Sequence, residues 1–366
     1  MAAWIFTINP GSTSTKTALF RDSACQFESV VRHDATQLRE LTGLSEQLPL
    51  RLASIESALE AGLAQAGLPG LAAIDAFVGR GGMLRPLASG TYAINHAMLE
   101  DLEQNRYGVH ASNLGAPIAA GLAARHGKPA FIVDPVSVDE LIPLARYTGL
   151  PDIQRRSVFH ALNQKAMARH AAQALGKPYP ELNLIVAHLG GGISVGAHRH
   201  GRVIDVNNGI EEGPMSPERV GSLPTLQLVD FAAAHHYTPE QVRRLLVGRG
   251  GLVAYTGTAD ALTIERGATD NPAWMELLEA MAYQISKTIG SMAASLQGQV
   301  DAIVITGGMA RSTLLTGFIR PAVSFVAPLI ILPGEHELEA MAEGALRVLN
   351  SEEKALEYVQ EVRHEG

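Results

Sequence analysis

Cysteine is almost absent: Cys25 is the only one among 366 residues, so no internal disulfide can form, and no Cys/His spacing suggests zinc. Long apolar runs are missing too. No uncharged apolar stretch reaches the roughly 18 residues of a membrane span, and no basic leader precedes the first apolar run, which starts at Trp4. No Lys/Arg block dominates any region, and the net charge is −8 with a pI near 5.9. That balance excludes a sequence-independent hold on nucleic acid or on an anionic membrane. Low-complexity tracts and evident linkers are also lacking. The expectation is a soluble cytoplasmic protein whose partners are small molecules and protein.

What is present is a chain 46% hydrophobic and 18% charged, long enough for a large core and for two domains. Near its start stands NPGSTSTKTALF, residues 9–20, which carries the lysine and threonine of a phosphate-binding G-x-x-x-x-G-K-[ST] loop without its second glycine. Such a loop must open a helix. The residues after Lys16 are short, β-prone and turn-bounded, so the segment reads as a hairpin of 4–9 and 15–20. Its tip holds Gly11, Ser12, Thr13, Ser14 and Lys16. Backbone N–H groups, hydroxyls and an ammonium in a tight turn can seat an anion. A plain polar turn fits the same residues.

Two internal echoes sharpen the choice. LNLIVAHLGGGISVGAHRHGRVIDV at 182–206 repeats the strand, glycine turn, strand, turn, strand order of residues 4–31, with Gly190 corresponding to Gly11. DAFVGRGGM at 75–83 and DAIVITGGM at 301–309 agree at six of nine positions, and each follows a helical pattern: Leu52, Ile55, Leu59, Leu63, then Leu278, Met281, Ile285, Ile289, Leu296. Two similar α/β halves facing each other across a cleft are expected. Phosphates in that cleft would meet residues 9–16 from one side and His188, Gly190, Gly191 and Gly192 from the other. Gly307 and Gly308, between a buried strand and a helix, would admit a flat nucleoside.

Phosphoryl transfer needs cations, donors and a Mg²⁺ site around the transferring group. Arg80 sits between glycines in VGRGG and can reach an anion bidentately, or be a surface arginine on a turn. The second VGRGG, with Arg249, follows a charged helical pattern and reads as structural. Asp134 ends the buried run PAFIVD, a place for a Mg²⁺ ligand or equally for a cap. His110, Ser112 and Asn113 share one polar loop, and His160 opens a helix. Arg219 lies in the elaborate loop EEGPMSPERVGSLP. Glu335, Glu337 and Glu339 cluster at a helix start, where acids favour the dipole in any case. The paired histidines 198/200 and 235/236 read as solvated.

The segments NPGSTSTKTALF, VGRGGMLRP, HASNLGAPIA, FHALNQKAMAR, AHLGGGISVGAH, GPMSPERVGSLP, GLVAYTGT, ITGGMARS and PGEHELEAMAEGAL, in this order, resemble the butyrate kinase branch of the acetate and butyrate kinase family. That family lies within the actin, hexokinase and sugar kinase superfamily, and the resemblance spans essentially the whole chain. It implies an α/β fold of two duplicated ribonuclease H-like domains flanking a nucleotide cleft, here 1–155, completed by a C-terminal helix at 340–366, and 156–339. It implies reversible, Mg²⁺-requiring phosphorylation of a short-chain carboxylate by ATP, giving ADP and an acyl phosphate, in a homodimer or larger homo-oligomer. By similarity, Asn9, Ser12, Ser14 and Lys16 form a first phosphate motif and His188 to Gly192 a second, while Gly307 and Gly308 contact adenosine. Arg80 and Arg219 bracket the phosphoryl group and the substrate carboxylate, with His110 and Asn113 on the substrate side, and His160 donates to the transition state. Asp134 and Glu337 hold Mg²⁺ directly or through water, with Asn9 beside them. Gly191 and Ala259 depart from the acetate kinase pattern, which carries Asn at the first and a polar residue at the second. Acceptors other than butyrate stay open: branched acids, propionate, acetate. So do a sugar or polyol kinase, with Asp134 as base, and a non-catalytic nucleotide-binding regulator.

Overall fold

The computed structural model describes residues 2–34, 38, 41, 43 and 45–359. Contacts divide the chain into two compact units, one made of residues up to Val138 together with those from His336 onward, the other of Asp139–Glu335. The division therefore falls at 138/139 and 335/336 rather than at 155 and 339. The C-terminal helix is Glu337–Leu349, after which the chain runs to a short strand at Leu356–Glu357; of the helix expected at 340–366, residues 360–366 lie outside the described ones.

The first unit carries a seven-stranded sheet in the order β12-β5-β6-β4-β1-β2-β3. Its strands are β1 (Trp4–Pro10), β2 (Ser14–Arg21), β3 (Ala24–Arg32), β4 (Ala76–Arg80), β5 (Thr91–Ala93), β6 (Ala130–Val133) and β12 (Leu356–Glu357). The second carries a five-stranded sheet in the order β11-β10-β7-β8-β9, from β7 (Asn183–Leu189), β8 (Ile193–Arg199), β9 (Arg202–Val206), β10 (Ala302–Gly307) and β11 (Leu329–Pro333). In each, an antiparallel meander is extended on one side by parallel strands. Helices cover both faces, which is why β1, β4, β7 and β10 read as nearly unbroken apolar runs.

The two echoes are structural. Asp75 and Asp301, the first residues of the matched nonapeptides, make the same pair of bonds. Each accepts through its carboxylate from the first residue of the neighbouring strand, Trp4 or Asn183, and donates its own N–H to that residue's carbonyl, all at 2.8 Å. Register follows from that clamp: Ile5 pairs with Ala76 and Leu184 with Ala302. Even the irregularities match, with a bulge after Leu19 in one meander and after Ala197 in the other.

The helix Leu48–Gln65 packs Ile55, Leu59 and Leu63 beneath β2 and β3, and Pro272–Ser295 packs Leu278, Met281, Ile285 and Ile289 beneath β7, β8 and β9. The opposite faces are covered by Glu337–Leu349 on β1, β4 and β6, and by Ala161–Leu175 on β7 and β10. The tail of the first unit is anchored by Tyr358, whose buried hydroxyl donates to Asp101 at 2.7 Å and accepts from Arg85 at 2.9 Å. Among the described residues no helix is long and apolar enough to cross a membrane.

Candidate active site

In the first unit the strand register sets out a row of polar residues. Asn9 pairs with Lys16 across the hairpin, so both side chains leave on one face of the sheet. Ile8 pairs with Gly79 in parallel, which brings Arg80 beside Asn9 one residue further on, and Arg80 in turn pairs with Val133, the residue before Asp134. These are the carboxyl ends of parallel strands, where open α/β sheets bind ligands.

Arg80 donates through Nη1 to Asn9 Oδ1 at 3.2 Å and to Glu337 Oε2 at 2.5 Å, and Asn9 Nδ2 donates to that same Glu337 oxygen at 2.6 Å. Glu337 is thereby singled out from the three glutamates. Glu339 is half exposed and lies 3.7 Å from His336, whereas Glu335 belongs to the other unit. Asp134 is buried in a left-handed backbone conformation, φ 38°, and its Oδ1 accepts from Ser89 Oγ at 2.6 Å and from Gly90 N–H at 2.8 Å. A non-glycine residue so placed at a strand end is held there against local preference.

The hairpin tip has a support that sequence reasoning missed. Arg51, fully buried on the helix beneath, donates to the carbonyls of Gly11 at 2.9 Å, Ser12 at 2.8 Å and Ser14 at 3.4 Å; the Thr13 carbonyl accepts from His33 N–H at 2.9 Å. Every carbonyl of residues 11–14 is thus bonded to a protein donor, and none is left to repel an anion at the tip. Burial lowers the Arg51 pKa. His33, bonded to Thr15 Oγ1 at 2.9 Å, falls to about 4 through burial and then the Arg51 charge, so it is neutral near pH 7. The signal was available: Arg51 stands four residues before Ile55 on the apolar stripe of its helix.

His110 and Asn113 do not share one role. His110 is exposed and caps a short helical turn through Ser112. Asn113 is buried; it accepts from Met83 N–H at 2.8 Å and donates to Gly108 O and Asn105 Oδ1, both at 2.9 Å. Those three bonds brace the loop after Arg80.

In the second unit the glycine turn 190–192 lies between β7 and β8, tied down by Ser216 Oγ and Glu218 N–H, which both donate to Gly191 O, at 2.6 and 3.3 Å. That bonding brings Arg219 to the turn: its guanidinium donates to Gly209 O and occupies the space a side chain on Gly192 would need. Burial lowers the Arg219 pKa, with Glu218 acting in the opposite direction. His188, buried on β7, stacks on His160 with ring centroids 3.9 Å apart and planes 12° from parallel. His198, expected to be solvated, is fully buried: it lies on β8 at the bulge, bonded to Tyr179 and Gln164. His200, His235 and His236 are exposed as expected.

Beside the turn lies a cavity of about 460 Å³ walled by Gly190, Gly191, Gly308, Met281, Leu262 and Ala259. Gly307 has φ 89° and exchanges backbone bonds with Gly334 at 3.0 and 3.1 Å; a side chain there would run into the Leu189 backbone. Gly308 faces open space. A flat apolar ligand fits this wall, and Ala259 belongs to it.

Among the described residues no group of three or more His, Cys, Asp and Glu side chains could hold a metal alone. Mg²⁺ is ordinarily held by one or two carboxylates together with phosphates and water, and Asp134 and Glu337, whose bonds given above each use one carboxylate oxygen, suit that limited share.

Comparison with known proteins bears on both units. The sequence model of the Acetokinase family matches residues 146–317. A probable butyrate kinase of Coprothermobacter proteolyticus is 49% identical over 361 residues, covering 98% of this chain and 100% of that one. Among solved structures, Porphyromonas gingivalis acetate kinase superposes with a TM-score of 0.78 at 18% identity, covering 95% of this chain and 100% of the other. A propionate kinase of Francisella tularensis gives 0.71 at 17%, covering 93% and 98%. At these identities the structural matches speak to the fold.

Proposed function

The chain belongs to the acetokinase family of carboxylate kinases, and from that premise we propose that it transfers the γ-phosphate of ATP reversibly to butyrate, giving ADP and butanoyl phosphate. The family assignment supports the reaction type, and the full-length likeness to a probable butyrate kinase supports the acceptor. One observation carries the mechanism: Lys16, Asn9 and Arg80 stand side by side at the strand ends, which supports a reading in which two cations and an amide meet the incoming groups.

That arrangement suits the acceptor. A carboxylic acid with a pKa of about 4 to 5 is ionised at neutral pH and needs no proton removed. What it needs is help in approaching another anion. Lys16, Ser12 and Ser14 on the clamped tip, and the turn from His188 to Gly192, take the phosphates of the nucleotide, with adenosine against Gly307 and Gly308. Arg80 and Arg219 neutralise the carboxylate and the transferring phosphoryl group, and His160 donates a hydrogen bond to it. His110 stands on the substrate side, while Asn113 acts through the loop it braces. Mg²⁺, met by Asp134 and Glu337 directly or through water, neutralises charge on the phosphate oxygens when bound. A homo-oligomer in the cytoplasm remains part of the reading.

Selectivity among acids rests on pocket walls, where one methylene changes the balance by about 1 to 3 kcal/mol. The test is ATP consumption over a panel of straight and branched short acids from acetate upward and of sugars, with hydroxylamine trapping of acyl phosphate. Trapped product with butyrate at the highest kcat/KM is expected. Turnover with sugars alone, or with no acceptor, would refute the proposal.

A further inference from the structure

The hydroxyl of Ser194 is fully buried beside His160, and the direction of every hydrogen bond around it can be worked out from one fixed point. That point is the Ser194 carbonyl, 2.9 Å from Nε2 of Gln164. A carbonyl cannot donate, so the amide nitrogen of Gln164 must be the atom facing it. Oε1 of Gln164 then faces Nε2 of His198 at 3.0 Å, and that ring nitrogen carries the proton. Nδ1 of His198 is left to accept from the Tyr179 hydroxyl at 2.7 Å. Burial, aided by the charges of Lys165 and Arg169, holds the His198 pKa well below its ordinary value, so one ring proton is all it has.

On its other side the Ser194 hydroxyl meets Nε2 of Gln164 at 2.9 Å, the backbone N–H of His160 at 3.4 Å and Nδ1 of His160 at 2.8 Å. The first two only donate. A buried hydroxyl proton without an acceptor is costly, and among the described residues His160 Nδ1 is its acceptor. The proton of a neutral His160 therefore sits on Nε2. His188 is set the opposite way. Asn163 Nδ2 faces the carbonyls of Gly334 and Glu335 at 3.3 and 2.5 Å, which turns its Oδ1 toward His188 Nδ1 at 2.7 Å and puts that ring's proton on Nδ1.

We infer that Gln164, with His198 and Tyr179 behind it, is a positioning residue that presents His160 to the transferring phosphoryl group as a donor through Nε2. The inference rests on the carboxylate kinase reading for the use made of that proton, and on the hydrogen-bond chain alone for where the proton is. Stacking on His188 fixes the ring plane; the chain fixes which edge donates.

Two-bond ¹H–¹⁵N spectra of histidine-labelled protein at about pH 8, above the ordinary histidine range, test the placement. Assignment by His160→Gln and His188→Gln should show the Nε2–H tautomer for His160 and Nδ1–H for His188. In Gln164→Glu the oxygen that replaces Nε2 has at most one proton, which the Ser194 carbonyl takes, so toward the Ser194 hydroxyl it accepts; His160 should switch to Nδ1–H. Its kcat should fall roughly 10²-fold with KM for ATP within about twofold, the pattern of a lost transition-state donor. Wild-type His160 bearing its proton on Nδ1 overturns the inference, whether or not the variant folds. So does a switched tautomer with undiminished kcat. A wild-type protein with the expected tautomers but no carboxylate-dependent ATP consumption would instead refute the functional reading.

Discussion

The two units share a scaffold down to the Asp75 and Asp301 clamps, yet the matched positions along their strand ends carry different chemistry. Lys16, Asn9 and Arg80 form the row in the first; the same register in the second gives Ser194, His188 and Thr306. Two of the three matched positions are cations on the first copy and none is a lysine or arginine on the second, where a cavity of about 460 Å³ lies beside the glycine turn. The contrast extends into the core. Phe20, buried at the bulge of the first meander, has His198 as its counterpart, so the hydrogen-bond chain behind His160 exists where the other unit has an apolar side chain. The duplicated backbone supplies the strand ends, and the side chains divide the labour.

The largest test of that division is Arg80→Ala, expected to lower kcat by about 10³-fold with the circular dichroism spectrum unchanged. Thr306→Val at the matched place should change kcat by less than about threefold. Equal effects would break the comparison. The two tips differ as well. Gly192→Ala would push into the Arg219 guanidinium and should cost roughly 10- to 10²-fold in kcat/KM, whereas Gly11→Ala meets the Ser14 carbonyl at 3.3 Å and the Ser14 hydroxyl at 3.7 Å and should stay within about threefold.

Arg51→Met probes how the first tip is held. It removes the donors to the Gly11, Ser12 and Ser14 carbonyls, so urea denaturation should show a loss of about 2–4 kcal/mol, and KM for ATP should rise about tenfold. An unchanged KM would show that carbonyl orientation at the tip is irrelevant to phosphate. The smallest effect is one of pH. Unfolded histidine takes up its proton near 6.5, but native His33 does so only at about 4, so between those values the unfolded chain binds more protons. Stability is therefore fully present above about pH 6.5 and declines as pH falls toward about 4. His198 acts in the same direction in the other unit. His33→Gln should make the decline shallower, read from urea midpoints across that window.

Much of the fold was legible because its signals are local. Short β-prone runs, glycine turns and the DAFVGRGGM and DAIVITGGM echo follow from the neighbours of each residue, and they located both meanders and the strand that follows each long helix. The same signals picked out Lys16, Arg80 and the 190–192 turn, and the family resemblance added Asn9. They failed where one residue's role depends on distant chain. His198 read as solvated because it lies two residues from an exposed His200 at a turn, yet the bulge and the helix Ala161–Leu175 enclose it.

By itself the sequence determined the two meanders, the later strand that each half adds, the duplication and the glycine turns, since spacing and backbone freedom express these directly. Only tertiary structure decided that Glu337 joins Asn9 and Arg80, that a buried Arg51 turns the first tip's carbonyls inward, and that the chain divides after Val138. The reason is physical: hydrogen-bond direction and burial are properties of pairs of groups, and these pairs are brought together by packing rather than by nearness along the chain.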